Sequence, residues 1–145
     1  MQLTEHFSLE ELVHSDLGTR KGIDNTPDVD AVENLKVLAR TMEQVRGLLG
    51  HPIHVNSGYR GPKLNSAVGG SKTSAHMEGL AADFVCPSFG TPKEIAVEIA
   101  ASDIAFDQLI EEGTWVHISV DPRMRRQVLS ATFSNGKATY SPLAA

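Results

Sequence analysis

The sequence predicts an α+β domain in which helices pack on a mainly antiparallel sheet. Signals that begin helices are concentrated early in the chain, whereas short apolar strands separated by brief turns dominate its later part. The chain has 145 residues, of which 41% are hydrophobic, which is enough to bury one compact core. We therefore expect a single domain that spans residues 1–145.

Two helices are expected before the first strand. Ser8 is followed three positions later by Glu11, the spacing of a capping box in which Ser8 accepts the amide of Glu11. Thr26 and Pro27 indicate a second start, because proline at the first helical position loses no hydrogen bond. An apolar residue then recurs every three or four positions up to Gly50, which predicts one long amphipathic helix. The members of this stripe are Val29, Val32, Leu35, Leu38, Met42, Val45 and Leu49.

A third helix and six strands complete the prediction. Thr91-Pro92-Lys93-Glu94 repeats the capping pattern of a helix start. Asn135-Gly136 predicts a type I′ turn between the last two strands, because both residues tolerate a positive φ. The stretch 58–80 contains five glycines and reads as a long loop, and 141–145 reads as a loose tail. The predicted strands are Ile53–Asn56, Ala81–Val85, Gln108–Glu111, Trp115–Val120, Val128–Phe133 and Ala138–Tyr140.

Composition excludes several classes of protein. The net charge is −5, with 13 basic and 18 acidic residues, so no dense basic face is available for nucleic acid. No apolar run reaches the length of a transmembrane helix, so we expect no membrane insertion. The start at Met1 has neither a basic nor an apolar signal region, which predicts cytoplasmic synthesis without a signal peptide. Cys86 is the single cysteine and allows neither an internal disulfide nor an all-cysteine zinc site.

Two of the six histidines stand out by their context. His76 precedes an apolar strand that carries Asp83, where an unpaired buried carboxylate would be costly. Strand alternation places Trp115, His117 and Ser119 on one face of a later strand. Two histidines and one aspartate can supply three ligands of a tetrahedral zinc site with water as the fourth, or form a buried Asp–His pair without metal. The histidines expected at the surface are His6, His14, His51 and His54.

These residues belong to a longer pattern that resembles a known family. Ser74-x-His76-x-x-Gly79-x-Ala81-x-Asp83, followed by Trp115-x-His117, resembles the zinc D-Ala-D-Ala carboxypeptidase and L-Ala-D-Glu endopeptidase family. That family is a branch of the hedgehog-like metallopeptidases and includes phage endolysins. The similarity extends upstream through Asn56-Ser57-Gly58-Tyr59-Arg60 and covers roughly residues 3–120. The resemblance implies a hedgehog/D-Ala-D-Ala-peptidase-like fold and a zinc ion.

The resemblance also implies a role for each matching residue. The positions that match the family's three zinc ligands are His76, Asp83 and His117. Arg60 is expected to bind a substrate carboxylate or the developing oxyanion, with a structural salt bridge as the alternative role. Ser74 is expected to order its loop or contact substrate. Tyr59 and Trp115 are the candidates for lining the cleft, with packing in the core as the expected role of at least one of them.

The general base departs from the pattern of many relatives. They carry the catalytic acid three residues before the last zinc histidine, where this chain has Thr114, which cannot act as a base. Small single-domain relatives instead have a glutamate shortly after a strand similar to Asp107-Gln108-Leu109-Ile110. That alignment implies Glu112 as the catalytic acid and base, and Glu111 as the alternative. Either glutamate could instead be an exposed turn carboxylate.

The resemblance implies a zinc-dependent peptidoglycan hydrolase that cleaves stem peptides. An L-Ala-D-Glu endopeptidase acting in lysis or wall remodelling is the preferred interpretation. The alternatives are a D-Ala-D-Ala carboxypeptidase and a non-catalytic, zinc-stabilised binding module. We expect a monomer that reaches the cell wall after holin-like release or lysis.

Overall fold

The computed structural model describes residues 1–143, in which five α-helices and one 3₁₀ helix accompany a six-stranded sheet. The helices are α1 Leu9–Val13, α2 Asp16–Lys21, α3 Val29–Leu49, α4 Pro62–Ala67 and α5 Pro92–Ala100, with the 3₁₀ helix at Ala75–Glu78. The strands are β1 His54–Ser57, β2 Ala81–Val85, β3 Gln108–Glu111, β4 Val116–Ser119, β5 Gln127–Ser134 and β6 Lys137–Pro142. Within the described residues no helix combines the length and apolarity needed to cross a membrane.

The sheet confirms the predicted α+β class. Its strand order is β1-β2-β4-β3-β5-β6, and each neighbouring pair is antiparallel except β3 and β5, which are parallel. Helices α3 and α5 bury their apolar residues against one face of the sheet, where they share a core with Phe84 and Ile118. Because side chains alternate along a strand, the residues between these core positions point to the opposite face.

The helix starts are correct at Ser8 and Thr91 and wrong at Thr26. The Ser8 side chain accepts the amide of Glu11, and Thr91 forms a complete capping box. The long helix begins instead at Val29, because the side chain of Asp28 accepts the amide of Ala31. Pro27 therefore precedes the cap rather than opening the helix, and Val29, counted in the apolar stripe, is 77% exposed.

The predicted loop and tail contain more regular structure than expected. Helix α4 and the 3₁₀ helix both lie within 58–80, and α2 lies in a stretch where no helix was predicted. Each has six residues or fewer, so none is long enough to show an apolar period. In the predicted tail, Ser141 and Pro142 belong to β6, and 144–145 lie outside the described residues. The hairpin turn is confirmed, because Asn135 and Gly136 both have positive φ.

Candidate active site

Two of the three predicted metal ligands are aligned by strand pairing. Strands β2 and β4 are antiparallel neighbours, and their register places Asp83 directly opposite His117. The adjoining residues Phe84 and Val116 are fully buried in the core on the other face. Nδ1 of His117 consequently lies 2.9 Å from Oδ1 of Asp83.

The third predicted ligand, His76, is held by the 3₁₀ helix. Ser74 caps this helix, and its hydroxyl accepts the backbone N–H of His76 at 3.2 Å. The His76 ring is buried, and its Nδ1 lies 2.7 Å from the carbonyl oxygen of Gly58. A side chain at position 58 would overlap the carbonyl oxygen of Leu12, so glycine permits the close approach that brings this carbonyl to the ring.

The orientation of the His76 ring fits a metal ion. A carbonyl oxygen only accepts hydrogen bonds, so Nδ1 of His76 carries the proton and Nε2 presents a lone pair. Nε2 lies 3.3 Å from Oδ1 of Asp83, which places two electron-rich atoms face to face. A cation bound between them removes this repulsion, and the ligand atoms of His76, Asp83 and His117 all lie within 4.8 Å of one another. Donation of the second ring N–H to a backbone carbonyl is also typical of metal-bound histidine.

Burial and hydrogen bonding favour the protonation states that a metal requires. Burial alone would raise the pKa of Asp83, but the hydrogen bond with His117 and the neighbouring imidazole of His76 lower it further than burial raises it. Burial lowers the pKa of His76 below its ordinary value, although the neighbouring Asp83 opposes this shift. At neutral pH the site therefore holds a carboxylate and a neutral imidazole, which are the forms that bind zinc.

Glu112 lies beside the three ligands, and Glu111 does not. Oε2 of Glu112 is 3.9 Å from Nδ1 of His117 and accepts a hydrogen bond from Nε1 of Trp115 at 3.2 Å. Burial raises the pKa of Glu112, and the charge of Asp83 raises it further, while His117 opposes both. The oxygens of Glu111 instead accept the amide of Gly113 and the hydroxyl of Ser130, both at 2.8 Å. Of the two candidate bases, the structure thus brings only Glu112 into the site.

Arg60 and Ser74 lie together at the edge of the triad. Nη2 of Arg60 is 3.4 Å from the hydroxyl of Ser74, and the backbone N–H of Arg60 donates to the carbonyl of His76 at 2.9 Å. Burial lowers the pKa of the guanidinium, while the charges of Asp83 and Glu112 oppose that shift. Among residues 1–143, Arg60 forms no ion pair within 4.0 Å. The alternative role of a structural salt bridge therefore finds no partner here.

The triad opens into a cleft of about 440 Å³. The predicted residues Arg60, Ser74, Glu112 and Trp115 line it, whereas Tyr59 is buried in the core. Residues that line it without having been predicted include Asp107, Gln108, Arg123 and Tyr140. Alternation along β3 could have indicated Gln108, which shares a face with Glu112. Tyr140 carried no sequence signal, because it reaches the cleft through the pairing of β6 with β5 and of β5 with β3. Arg123 lies between β4 and β5, where its Nη2 is 3.9 Å from Oδ2 of Asp107.

The other histidines occupy the exposed positions predicted for them. The ring of His6 contacts the carboxylate of Glu43, and Nε2 of His14 lies 2.8 Å from Oδ1 of Asp16. Glu5, His6 and Glu43 also lie close enough together to be possible metal ligands, but they are at the surface and apart from the cleft.

Fold and site together define a class of protein. A mainly antiparallel sheet that carries one histidine and one aspartate, with a second histidine on an adjoining 3₁₀ helix and a partly buried glutamate beside them, is the arrangement of a hydrolytic metal centre with an open coordination position. The family model for Peptidase M15 matches residues 5–119, and the chain belongs to that family. It is accordingly a zinc metallopeptidase, and family membership indicates peptidoglycan as its substrate class. No curated protein matches the chain.

Proposed function

We propose that the protein is an L-Ala-D-Glu endopeptidase that cleaves the stem peptides of peptidoglycan. The observation that carries this proposal is that the cleft continues along the strands on both sides of His117. Trp115 and Glu112 line it in one direction along the strands, and Ser119 and Gln108 line it in the other. A substrate chain that continues on both sides of the cut bond needs such a groove, whereas a carboxypeptidase needs a closed subsite for the terminal carboxylate.

The residues that would hold zinc are His76, Asp83 and His117. When bound, zinc polarises the scissile carbonyl and makes a water molecule a stronger acid. Glu112 accepts a proton from the attacking water and then delivers it to the leaving amine. The indole of Trp115 fixes the carboxylate of Glu112 for this transfer by donating to its Oε2.

Arg60 supplies the positive charge that the substrate requires. Its guanidinium lines the cleft beside Ser74, where it can hold a carboxylate of the stem peptide or the oxyanion that forms during attack. The protein has a net charge of −5, so an anionic peptide needs a local cation of this kind. A binding module would have no use for a glutamate beside the ligands, and Glu112 therefore favours catalysis.

Metal analysis and mass spectrometry of digested muropeptides test the proposal. We expect one zinc per chain and products that end in L-Ala on one side and begin with D-Glu on the other. The His76→Ala variant is the matched control and should leave the muropeptides intact. Release of the terminal D-Ala alone would assign the carboxypeptidase instead, and unchanged muropeptides with the zinc-loaded protein would favour the binding module.

A further inference from the structure

Two exposed aromatic side chains and one partly buried one lie next to the candidate general base. They are Trp115, Phe133 and Tyr140, and we call them the aromatic wall. The rings of Trp115 and Phe133 lie 6.3 Å apart between centroids, tilted by 36°. Phe133 is 54% exposed and Tyr140 is 53% exposed, although both are large aromatic residues. An exposed cluster of this kind beside a polar cleft marks a surface that contacts a partner or a ligand.

The β5–β6 hairpin builds most of this wall. Its register pairs Tyr140 with Ala131 and Phe133 with Ala138, so both aromatic side chains share one face of the hairpin. The hairpin is joined to the catalytic part of the sheet by the parallel pairing of β5 with β3. Both strands lie beyond residues 5–119, the part of the chain that the family model matches.

The wall is continuous with the site. Tyr140 and Trp115 line the same cleft as Glu112, and the indole of Trp115 also donates to that glutamate. Partial burial raises the pKa of Tyr140, and the negative charge of Glu112 raises it further. From Tyr140 and Trp115 the surface continues outward to Phe133.

The chemistry of the substrate identifies an occupant for this wall. Stem peptides are joined through L-Ala to the lactyl group of an N-acetylated sugar, so a cut after L-Ala lies one residue from the glycan. One residue spans about 3.5 Å of extended chain, which keeps that sugar close to the cleft while the peptide is bound. The carboxylates of the peptide are not stabilised by contact with aromatic faces. The flat C–H face of a sugar ring, in contrast, packs on an aromatic ring while the sugar hydroxyls remain in water.

We propose that the aromatic wall binds the N-acetylated sugar to which the stem peptide is attached. The protein then selects stem peptides that are still linked to glycan over free peptides of the same sequence. This inference rests on the proposed cleavage after L-Ala and names the part of the substrate that the hairpin recognises.

A pair of substrates tests the inference. One is a disaccharide tetrapeptide, and the other is the same tetrapeptide released from its sugar by an amidase. We expect kcat/KM of the zinc-loaded protein to be about tenfold higher for the sugar-linked substrate, equivalent to about 1.4 kcal/mol. Tyr140→Ala and Phe133→Ala should each reduce this ratio towards one, mainly through KM on the sugar-linked substrate. Tyr140→Phe keeps the ring and should keep the ratio.

Thr139→Ala is the matched control, because Thr139 is adjacent to Tyr140 but lies on the opposite face of the hairpin. It should change neither kcat/KM value, and thermal melting of each variant identifies any loss of folding. A wild-type ratio near one would overturn the inference, as would an equal loss on both substrates in folded Tyr140→Ala. If the wild-type protein cuts neither substrate, the proposed endopeptidase activity fails instead.

Discussion

Replacing Glu112 by Gln removes the proposed proton acceptor while nearly preserving the size of the side chain. Glutamine retains an oxygen that can accept the indole N–H of Trp115, which donates to Glu112 at 3.2 Å. The adjacent Glu111 cannot replace the lost base, because its oxygens are bonded to Gly113 and Ser130 outside the site. A positioned general acid or base contributes about 10²–10⁴-fold to the rate, equivalent to about 3–5 kcal/mol of activation free energy. We therefore expect Glu112→Gln to lower kcat by at least about 100-fold.

The assay is hydrolysis of purified muropeptides by protein whose zinc content has been measured. Zinc content should be unchanged in Glu112→Gln, because this side chain is not one of the three ligands that the structure groups together. Glu111→Gln is the control and should retain most of its activity while losing some stability with the bond to Ser130. The reasoning is refuted if Glu111→Gln is inactive and Glu112→Gln is not. A loss of zinc in Glu112→Gln would equally contradict its role as a base.

Three further predictions concern stability and metal dependence. Asp107 is buried, and hydrogen bonds from Arg125 are the main cause that lowers its pKa. The pair therefore stabilises the fold fully at pH values above the ordinary aspartate pKa of about 3.9. This stabilisation is lost as the pH falls through the lowered pKa of Asp107. Asp107→Asn should therefore reduce the free energy of unfolding by about 2–4 kcal/mol at pH 7. Urea titrations should show that the stability difference between wild type and variant becomes smaller in acid, and a stability difference that does not depend on pH would contradict this. Gly79→Ala should destabilise the protein more than Gly22→Ala, although both glycines have positive φ. A Cβ at position 79 would lie 2.7 Å from the carbonyl oxygen of Ala31, whereas a Cβ at position 22 would have no atom within 4 Å. Equal melting temperatures of these two variants would count against the clash. Chelation should abolish hydrolysis and lower the melting temperature, with zinc restoring both, and full activity of metal-free protein would disprove the metal mechanism.

Local signals determined several elements to the residue. Strands β2 and β3 have the predicted bounds Ala81–Val85 and Gln108–Glu111, because short apolar runs between turns specify both type and length. Helix α5 begins where Thr91 and Glu94 complete a capping box, which depends on residues three positions apart. The predicted start of α3 was wrong because Thr26-Pro27 and Asp28 are both residues that can begin a helix. In the structure Asp28 is the cap, since its side chain accepts the amide of Ala31.

The sequence by itself determined the kind of site. Two histidines and one aspartate, together with a single cysteine, allowed an open His-Asp-His zinc centre and excluded an all-cysteine site, and the resemblance to the zinc peptidase family favoured the metal. These residue types belong to the chemistry of the metal and are visible without a fold. The spacing left a buried Asp–His pair without metal as an alternative. For His76 the carbonyl of Gly58 argues against such a pair, because it fixes the proton on Nδ1 and turns the unprotonated Nε2 towards Asp83.

Only the tertiary structure separated the two glutamates and added the hairpin to the cleft. Glu111 and Glu112 are adjacent in sequence, but the first is bonded to Ser130 of β5 and the second lies beside His117. Tyr140 reaches the cleft because β5 pairs with β3, two strands that are separated by β4 in the chain. Strand register between distant segments decides which side chains meet, and a local pattern of residues does not encode it.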